Sequence, residues 1–192
     1  MTIIRTLMAV CVVAFCAMIF EYYVKDGQAR AKADIPTLPD FEHTNNQTFL
    51  NNVVQCVEYI EHTTSDVYPV NIELLLAQAA LESGWGNSRF AREGKNLFGI
   101  RTYELTEPHM LPSNNPKKWG VKVYQHECDS VLNYMLVLNN GSAYEKYRTL
   151  MDEGVNDPYI LVETLDAYAA DKNYFGKIKS ILTKIRKEYK IK

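Results

Sequence analysis

Between Asn71 and Gly84 the chain is apolar at almost every position, through Leu74-Leu75-Leu76-Ala77-Gln78-Ala79-Ala80-Leu81. These are good helix formers, and the spacing predicts a helix that Asn71 caps and that runs to Ser83, where Gly84 and Gly86 stop it. Before it, Phe49, Val53, Val57 and Ile60 fall on one helical face, so a first helix starts near Thr48 and ends before Tyr68-Pro69. After it comes a short polar helix over Ser88 to Glu93. The run Asn96 to Tyr103 then reads as a turn entering a strand, and Val121 and Val123 alternate within Trp119 to Tyr124. Pro108, Pro112 and Pro116 break the stretch between them, which predicts a small β-hairpin with a long loop.

The remainder has helical periodicity. Asp129 or Ser130 caps a helix carrying Val131, Tyr134, Met135 and Leu138, which ends at Asn139-Asn140-Gly141. Further helices are expected over Ala143 to Glu153, from Asp157-Pro158 to Tyr168, and over Tyr174 to Tyr189. The last has an apolar stripe of Ile178, Ile181, Leu182 and Ile185 and a basic opposite face, read as a solvated surface.

The N-terminus follows a different pattern. Arg5 precedes Leu7 to Phe20, which no charge interrupts. That is the pattern of an export signal over residues 1–24, and Ala31-Lys32-Ala33 resembles a cleavage site. An uncleaved signal anchor over Ile3 to Val24 is the alternative, giving N-terminal membrane anchoring. Both readings export the rest of the chain, to the periplasm or cell envelope. Residues 25–47, with Pro36, Pro39 and Asn45-Asn46-Gln47, read as a linker, and residues 48–192 as one domain. Of the cysteines, Cys11 and Cys16 lie in the leader. Cys56 and Cys128 lie in the domain, as a disulfide or as two buried thiols. Without a CxxC or a His/Cys cluster no metal site is expected. The formal net charge of -2 argues against a nucleic-acid partner. The 13 tyrosines suit either a helical core or a carbohydrate surface. The chain is read as a monomer.

Glu82 carries the candidate chemistry. It stands at the end of the apolar helix, beside Leu81 and Trp85. Partial desolvation and the negative end of the helix dipole both disfavour its charged form. A carboxyl still protonated near neutral pH serves as a general acid. The competing reading is a solvated glutamate in the last helical turn.

The segment Leu76-Ala77-Gln78-Ala79-Ala80-Leu81-Glu82-Ser83-Gly84-Trp85-Gly86, followed by Ser88, Ala91 and Asn96-Leu97-Phe98-Gly99-Ile100, resembles the bacterial glucosaminidase domain of glycoside hydrolase family 73. Weaker similarity continues through Val123-Tyr124, Ser130 and Tyr134, and through Tyr168-Ala169-Ala170-Asp171-Lys172-Asn173-Tyr174 with Lys177-Ile178. It covers roughly Thr48 to Lys187. The short passage from Phe98 to Trp119 looks most like the Bax-like branch.

The resemblance implies an α+β, mostly α, lysozyme-like fold: a helical body, a small β-hairpin lobe and a cleft between them. It implies cleavage of the bond after N-acetylglucosamine in the peptidoglycan glycan strand, without a cofactor. Glu82 is then the general acid. A second carboxylate is sought on the hairpin, with Glu104 preferred over Glu107 because it continues the strand leaving the Asn96–Gly99 turn. The substrate's own acetamido group is the alternative nucleophile. Tyr168 matches the family's active-site tyrosine, expected to orient the acetamido group or support developing charge. Trp85 is a cleft wall or packs the glycine turn. Asn96 and Phe98 hold the turn between lobes and border the substrate, as do Tyr124 and Tyr174. His109 and Trp119 are weaker candidates. Two other functions fit the same fold: a non-catalytic glycan-binding or envelope-assembly module, and a lytic transglycosylase.

Overall fold

A computed structural model describes residues 18–22, 25, 36–113, 118–168 and 171–191. The chain divides into Met1–Pro36 and Thr37–Lys192. In the first unit, residues 18–22 and 25 are helical and exposed. Most of the expected leader, with Cys11, Cys16 and the cleavage-like Ala31-Lys32-Ala33, lies outside the described residues. Among the described residues no helix is long and apolar enough to cross a membrane.

The second unit is organised around one helix. Helix α1 spans Asn46–Thr63, and Asn45 and Thr48 close a capping box at its start. Helix α2 spans Ile72–Ser83; Asn71 caps it and Gly84 ends it in the left-handed conformation. Residues 74–80 of α2 are all buried. A helix apolar on every side must be enclosed, and this one is covered by α1 and by the C-terminal helix. That C-terminal helix, α7, spans Tyr174–Glu188 and buries Tyr174, Ile178, Leu182 and Ile185. Its basic face is largely paired: Lys177 with Asp171, Lys179 with Glu163, and Arg186 with Glu73.

Helix α3 (Arg89–Gly94) leads into a three-stranded antiparallel sheet of β1 (Arg101–Thr102), β2 (His109–Met110) and β3 (Gly120–Lys122). The order is β1-β3-β2, with Arg101 opposite Val121 and His109 opposite Lys122. The expected hairpin is therefore one strand short. The loop contributes β2, whose two residues are too few to leave a period-2 signal among prolines.

Helix α4 spans Glu127–Asn140 and starts earlier than Asp129 or Ser130. Its cap is His126, whose Nδ1 accepts from the Cys128 N–H, while Asp129 bonds back to the His126 N–H. A 3-10 turn, Ser142–Tyr144, precedes α5 (Glu145–Asp152). Helix α6 is only Pro158–Leu161, continued by a 3-10 turn to Thr164, so the helix expected to reach Tyr168 is shorter.

The second half of the expected linker belongs to the domain. Phe41 and His43 meet the Phe49 ring edge-on, and the Glu42 carbonyl accepts from Asn52. Cys56 of α1 and Cys128 of α4 form a disulfide, with Cα atoms 4.9 Å apart and a sequence separation of 72. A bridge closing so long a loop restricts the unfolded chain strongly. Replacing both cysteines by serine is expected to lower the unfolding free energy by about 2–4 kcal/mol in urea titrations. A midpoint unchanged by reduction would show that the bridge does not form.

Candidate active site

The turn after α2 explains the residue types of Ser83-Gly84-Trp85-Gly86. Gly84, Trp85 and Gly86 all have positive φ, at 57°, 59° and 79°. Glycine adopts this region freely, and a Cβ on Gly86 would also stand 2.6 Å from the His43 ring and 2.9 Å from Phe49. The fully buried Ser83 hydroxyl donates to Ala79 O at 2.6 Å and accepts from Gly86 N–H at 2.7 Å. This tight reversal directs Trp85 away from Glu82. Its ring meets Phe49 and Tyr189, and Lys184 lies over it at 5.4 Å. Trp85 packs the turn, the second of its two expected readings, and is absent from the lining of the Glu82 cleft.

The Asn96–Gly99 turn faces the same helix end. Asn96 is buried and uses its whole amide. Its Oδ1 accepts from Phe98 N–H and Ile100 N–H, and its Nδ2 donates to Ile100 O at 2.9 Å and Lys122 O at 2.8 Å. It ties the turn to β3 and has no group left for a substrate. Phe98 is 2% exposed and stacks on Tyr134, with ring centroids 4.2 Å apart. Gly99, at φ 64°, brings backbone close to the acid: a Cβ there would lie 3.9 Å from Glu82 Oε2.

Glu82 itself is half-buried in a cleft of about 580 Å³, lined by Phe98, Gly99, Ile100, Arg101, Tyr144, Tyr168 and Asp171 among others. Desolvation raises its pKa above the ordinary glutamate value. A hydrogen bond with Tyr174 and the positive charge of Lys177 offset part of that rise.

Tyr168 is in the same cleft. Its hydroxyl donates to Phe98 O at 3.0 Å, and burial pushes its pKa well up, so it is neutral. Its ring stacks on Tyr174 at 5.9 Å. Tyr174 is buried; its oxygen accepts from Gln78 Nε2 at 2.7 Å. Burial and the nearby charge of Glu82 push its own pKa up, and it does not line the Glu82 cleft.

The hairpin glutamates point elsewhere. Glu104 is fully exposed, and its Oε1 accepts from the Thr106 hydroxyl at 2.7 Å and the Thr106 N–H at 3.3 Å, which lower its pKa. Glu107 accepts from the Thr102 hydroxyl at 3.1 Å and pairs with Lys122 at 3.5 Å. Neither lines the Glu82 cleft. Strand β1 ends at Thr102, so Glu104 sits on a turn and does not continue the strand. Tyr124 is also outside, its hydroxyl held by Asn133 Oδ1 at 2.7 Å. His109 sits on β2, with its Nδ1 2.9 Å from Glu107 O.

Two charged residues that the sequence reading did not single out do line the cleft. Asp171 carries an ion pair with Lys177 at 2.6 Å and accepts from Asn173 N–H at 2.9 Å; both hold its carboxyl below the usual range. Arg101 stacks its guanidinium on Trp119, 3.9 Å from the ring centroid. Asp171 lay within the closing motif and Arg101 directly after Ile100, so both positions were legible although their direction was not.

Two other places gather ligand-type side chains. Cys56, Cys128 and His126 lie within ligand reach of one another, but the sulfurs are joined and leave no thiolate for a metal. A cavity of about 520 Å³, bordered by Phe41, His43, Arg92, Lys95 and Glu127, shares no residue with the Glu82 cleft. Its buried carboxylate, Glu127, is taken by Lys95 at 2.8 Å, so it offers no free acid.

Known proteins share both fold and sequence. The catalytic domain of the autolysin Auto from Listeria monocytogenes superposes with a TM-score of 0.56 at 24% identity, covering 84% of this chain and 94% of that one, which shows the fold. The exo-glucosaminidase LytG of Bacillus subtilis is 26% identical over 126 residues, 61% of this chain and 45% of LytG. The peptidoglycan hydrolase FlgJ of Vibrio parahaemolyticus is 33% identical over 128 residues, 60% of this chain and 41% of FlgJ. The chain thus spans less than half the length of either relative. The family model described as mannosyl-glycoprotein endo-beta-N-acetylglucosaminidase matches residues 61–187, from the end of α1 to the last turn of α7, and takes in both the Glu82 and Asn96–Gly99 turns. With more than half of its length matched, the chain belongs to the mannosyl-glycoprotein endo-beta-N-acetylglucosaminidase family.

Proposed function

We propose that this protein is a glycoside hydrolase that cleaves the β-1,4 bond after N-acetylglucosamine in peptidoglycan glycan strands, with Glu82 as general acid. The observation that carries the reading is the half-buried carboxyl of Glu82, held above its ordinary pKa at the base of an open cleft. Family membership and the names of FlgJ and LytG support the substrate class. Glu82 protonates the leaving glycosidic oxygen as the sugar gains oxocarbenium character. An apolar leader and a domain disulfide support an exported protein acting in the cell envelope.

For the second group, the substrate's own acetamido oxygen is the reading with most support. Glu104 and Glu107 are bonded within the hairpin, and Asp171 is paired with Lys177, which makes it a poor base. In this scheme the acetamido oxygen bonds to the anomeric carbon as the glycosidic bond breaks, giving an oxazolinium ion. Water then opens that ion while the Glu82 carboxylate takes the water's proton. The Tyr168 proton is committed to Phe98 O, so its oxygen is free to accept from the acetamido N–H.

Purified sacculi test the function. Wild type is expected to release fragments with reducing N-acetylglucosamine ends, and Glu82→Gln to lower release at least about 100-fold. Anhydro-muramic ends in the mass spectrum would instead identify a lytic transglycosylase. Binding without release, unchanged in Glu82→Gln, would identify a non-catalytic module. Glu104→Gln and Glu107→Gln are both expected to keep activity within about threefold of wild type, and a larger loss in either restores a hairpin carboxylate.

The same acid variant reads out stability. Because the folded pKa of Glu82 is raised, its neutral form is favoured by folding, and that contribution is lost as pH rises through the folded pKa. Glu82→Gln stays neutral throughout. Its Tm is expected to match or exceed wild type at pH 7, and the gap to close as pH falls below the ordinary glutamate range. A lower Tm at pH 7 would argue that the ionised carboxylate is stabilised by the fold.

A further inference from the structure

Arg101 reaches the Glu82 cleft from β1, and its guanidinium lies 3.9 Å from the centroid of the Trp119 ring. The strand register accounts for the stack. Arg101 stands opposite Val121, so Trp119, two residues before Val121, is its diagonal neighbour on the same face of the sheet. The ring face attracts the cation and confines a side chain that would otherwise sample many rotamers. Stacking uses the flat face of the guanidinium and leaves its N–H edge open. Among the described residues nothing takes that edge: Arg101 has neither an ion pair nor a side-chain hydrogen bond. Arg148 and Arg186, by contrast, are each held by protein oxygens. A surface arginine without a partner is ordinary. One fixed on an aromatic ring inside the cleft of the acid is not explained by solubility alone.

We infer that Arg101 is a specificity-determining residue: held flat on Trp119, it binds a carboxylate carried by the glycan beside the scissile bond, so that anionic strands are preferred over neutral N-acetylglucosamine polymers. This rests on the proposed function and narrows its substrate. In a peptidoglycan strand every second sugar, N-acetylmuramic acid, carries a lactyl ether. The lactyl carboxyl is either free or joined as an amide to a peptide stem that has carboxylates of its own. The open fork of a guanidinium matches a carboxylate from either source with two parallel hydrogen bonds. The placement fits. A Cβ on Gly99 would stand 3.9 Å from Glu82 Oε2, and Arg101 follows two residues later, a stretch of chain that spans at most about 7 Å. The guanidinium is thus rooted beside the bond that Glu82 protonates. The other charges nearby leave it uncompensated. Asp171 is bonded to Lys177 at 2.6 Å, and Lys122 of β3 is paired with Glu107 at 3.5 Å. Burial disfavours the anion of Glu82.

Equilibrium binding to the full chain carrying Glu82→Gln, which does not consume its ligand, tests this by calorimetry. The probes are short muramic-acid-containing strands with free lactyl carboxylates, the same strands with peptide stems, and neutral N-acetylglucosamine oligomers of equal length. Adding Arg101→Gln is expected to lower the ratio of anionic to neutral affinity about tenfold, the size of one charge-assisted contact. Arg101→Lys keeps the charge without the fork and is expected to recover only part of the preference. Trp119→Leu frees the guanidinium without removing it, and is expected to lower the ratio in the same direction by a smaller factor. A loss on stem-free strands assigns the lactyl carboxylate, and a loss confined to stem-bearing strands assigns a carboxylate of the stem. An unchanged ratio in Arg101→Gln, or equal falls on anionic and neutral glycan, would overturn the proposal. The two readings fail separately. A wild type that shows the preference but releases nothing from sacculi keeps this inference and loses the hydrolase, and one that cleaves without the preference does the reverse.

Discussion

Everything in the domain is arranged around a helix with no solvent face. Residues 74–80 of α2 are buried on all sides, so only its ends can carry charge. Glu73 occupies one end, bonded to Arg186, and Glu82 the other. At that second end the start of α7 and the Gly99 turn lie close to the carboxyl, and the dipole of α2 points its negative end at it. A charge there is disfavoured without being fully sealed off. The enclosure that stabilises the core also holds the acid partly desolvated in a cleft.

The two motifs that flank the acid act mainly as backbone devices. Ser83, Gly84 and Gly86 make a reversal that presses Trp85 into the Phe49 and Tyr189 rings. Asn96 knots the next turn to β3 and delivers the Phe98 carbonyl to Tyr168. Residue identity at these places is set by φ, by close approach and by amide geometry. In the proposed function the chemistry falls to a smaller group in the cleft: Glu82, Tyr168 and the charged residues Arg101 and Asp171.

Local signals in the sequence were sufficient wherever one residue does one local job. Asn71 as cap, Gly84 as stop and Asp157-Pro158 before α6 all stand where they were expected. The start of α4 was displaced because histidine is an unusual cap, and its role depends on Asp129 bonding back. Strand β2 was missed because two residues paired only to β3 have no pattern of their own. Glu104 looked like a continuation of β1, yet the chain turns after Thr102. Trp85 was legible as an aromatic at the site, but its direction follows from a left-handed φ that sequence spacing does not display. The link from Gln78 to Tyr174 spans 96 residues, and only the packing of α7 on α2 brings it about.

The central claim is that burial at the end of α2 keeps Glu82 protonated into the range where an acid is useful. The most direct measurement is a titration of the Glu82 side-chain carboxyl by its 13C chemical shift in the folded protein, assigned by comparison with Glu82→Gln. The account predicts a midpoint clearly above that of the exposed glutamates of the same chain. A midpoint at or below theirs would contradict it.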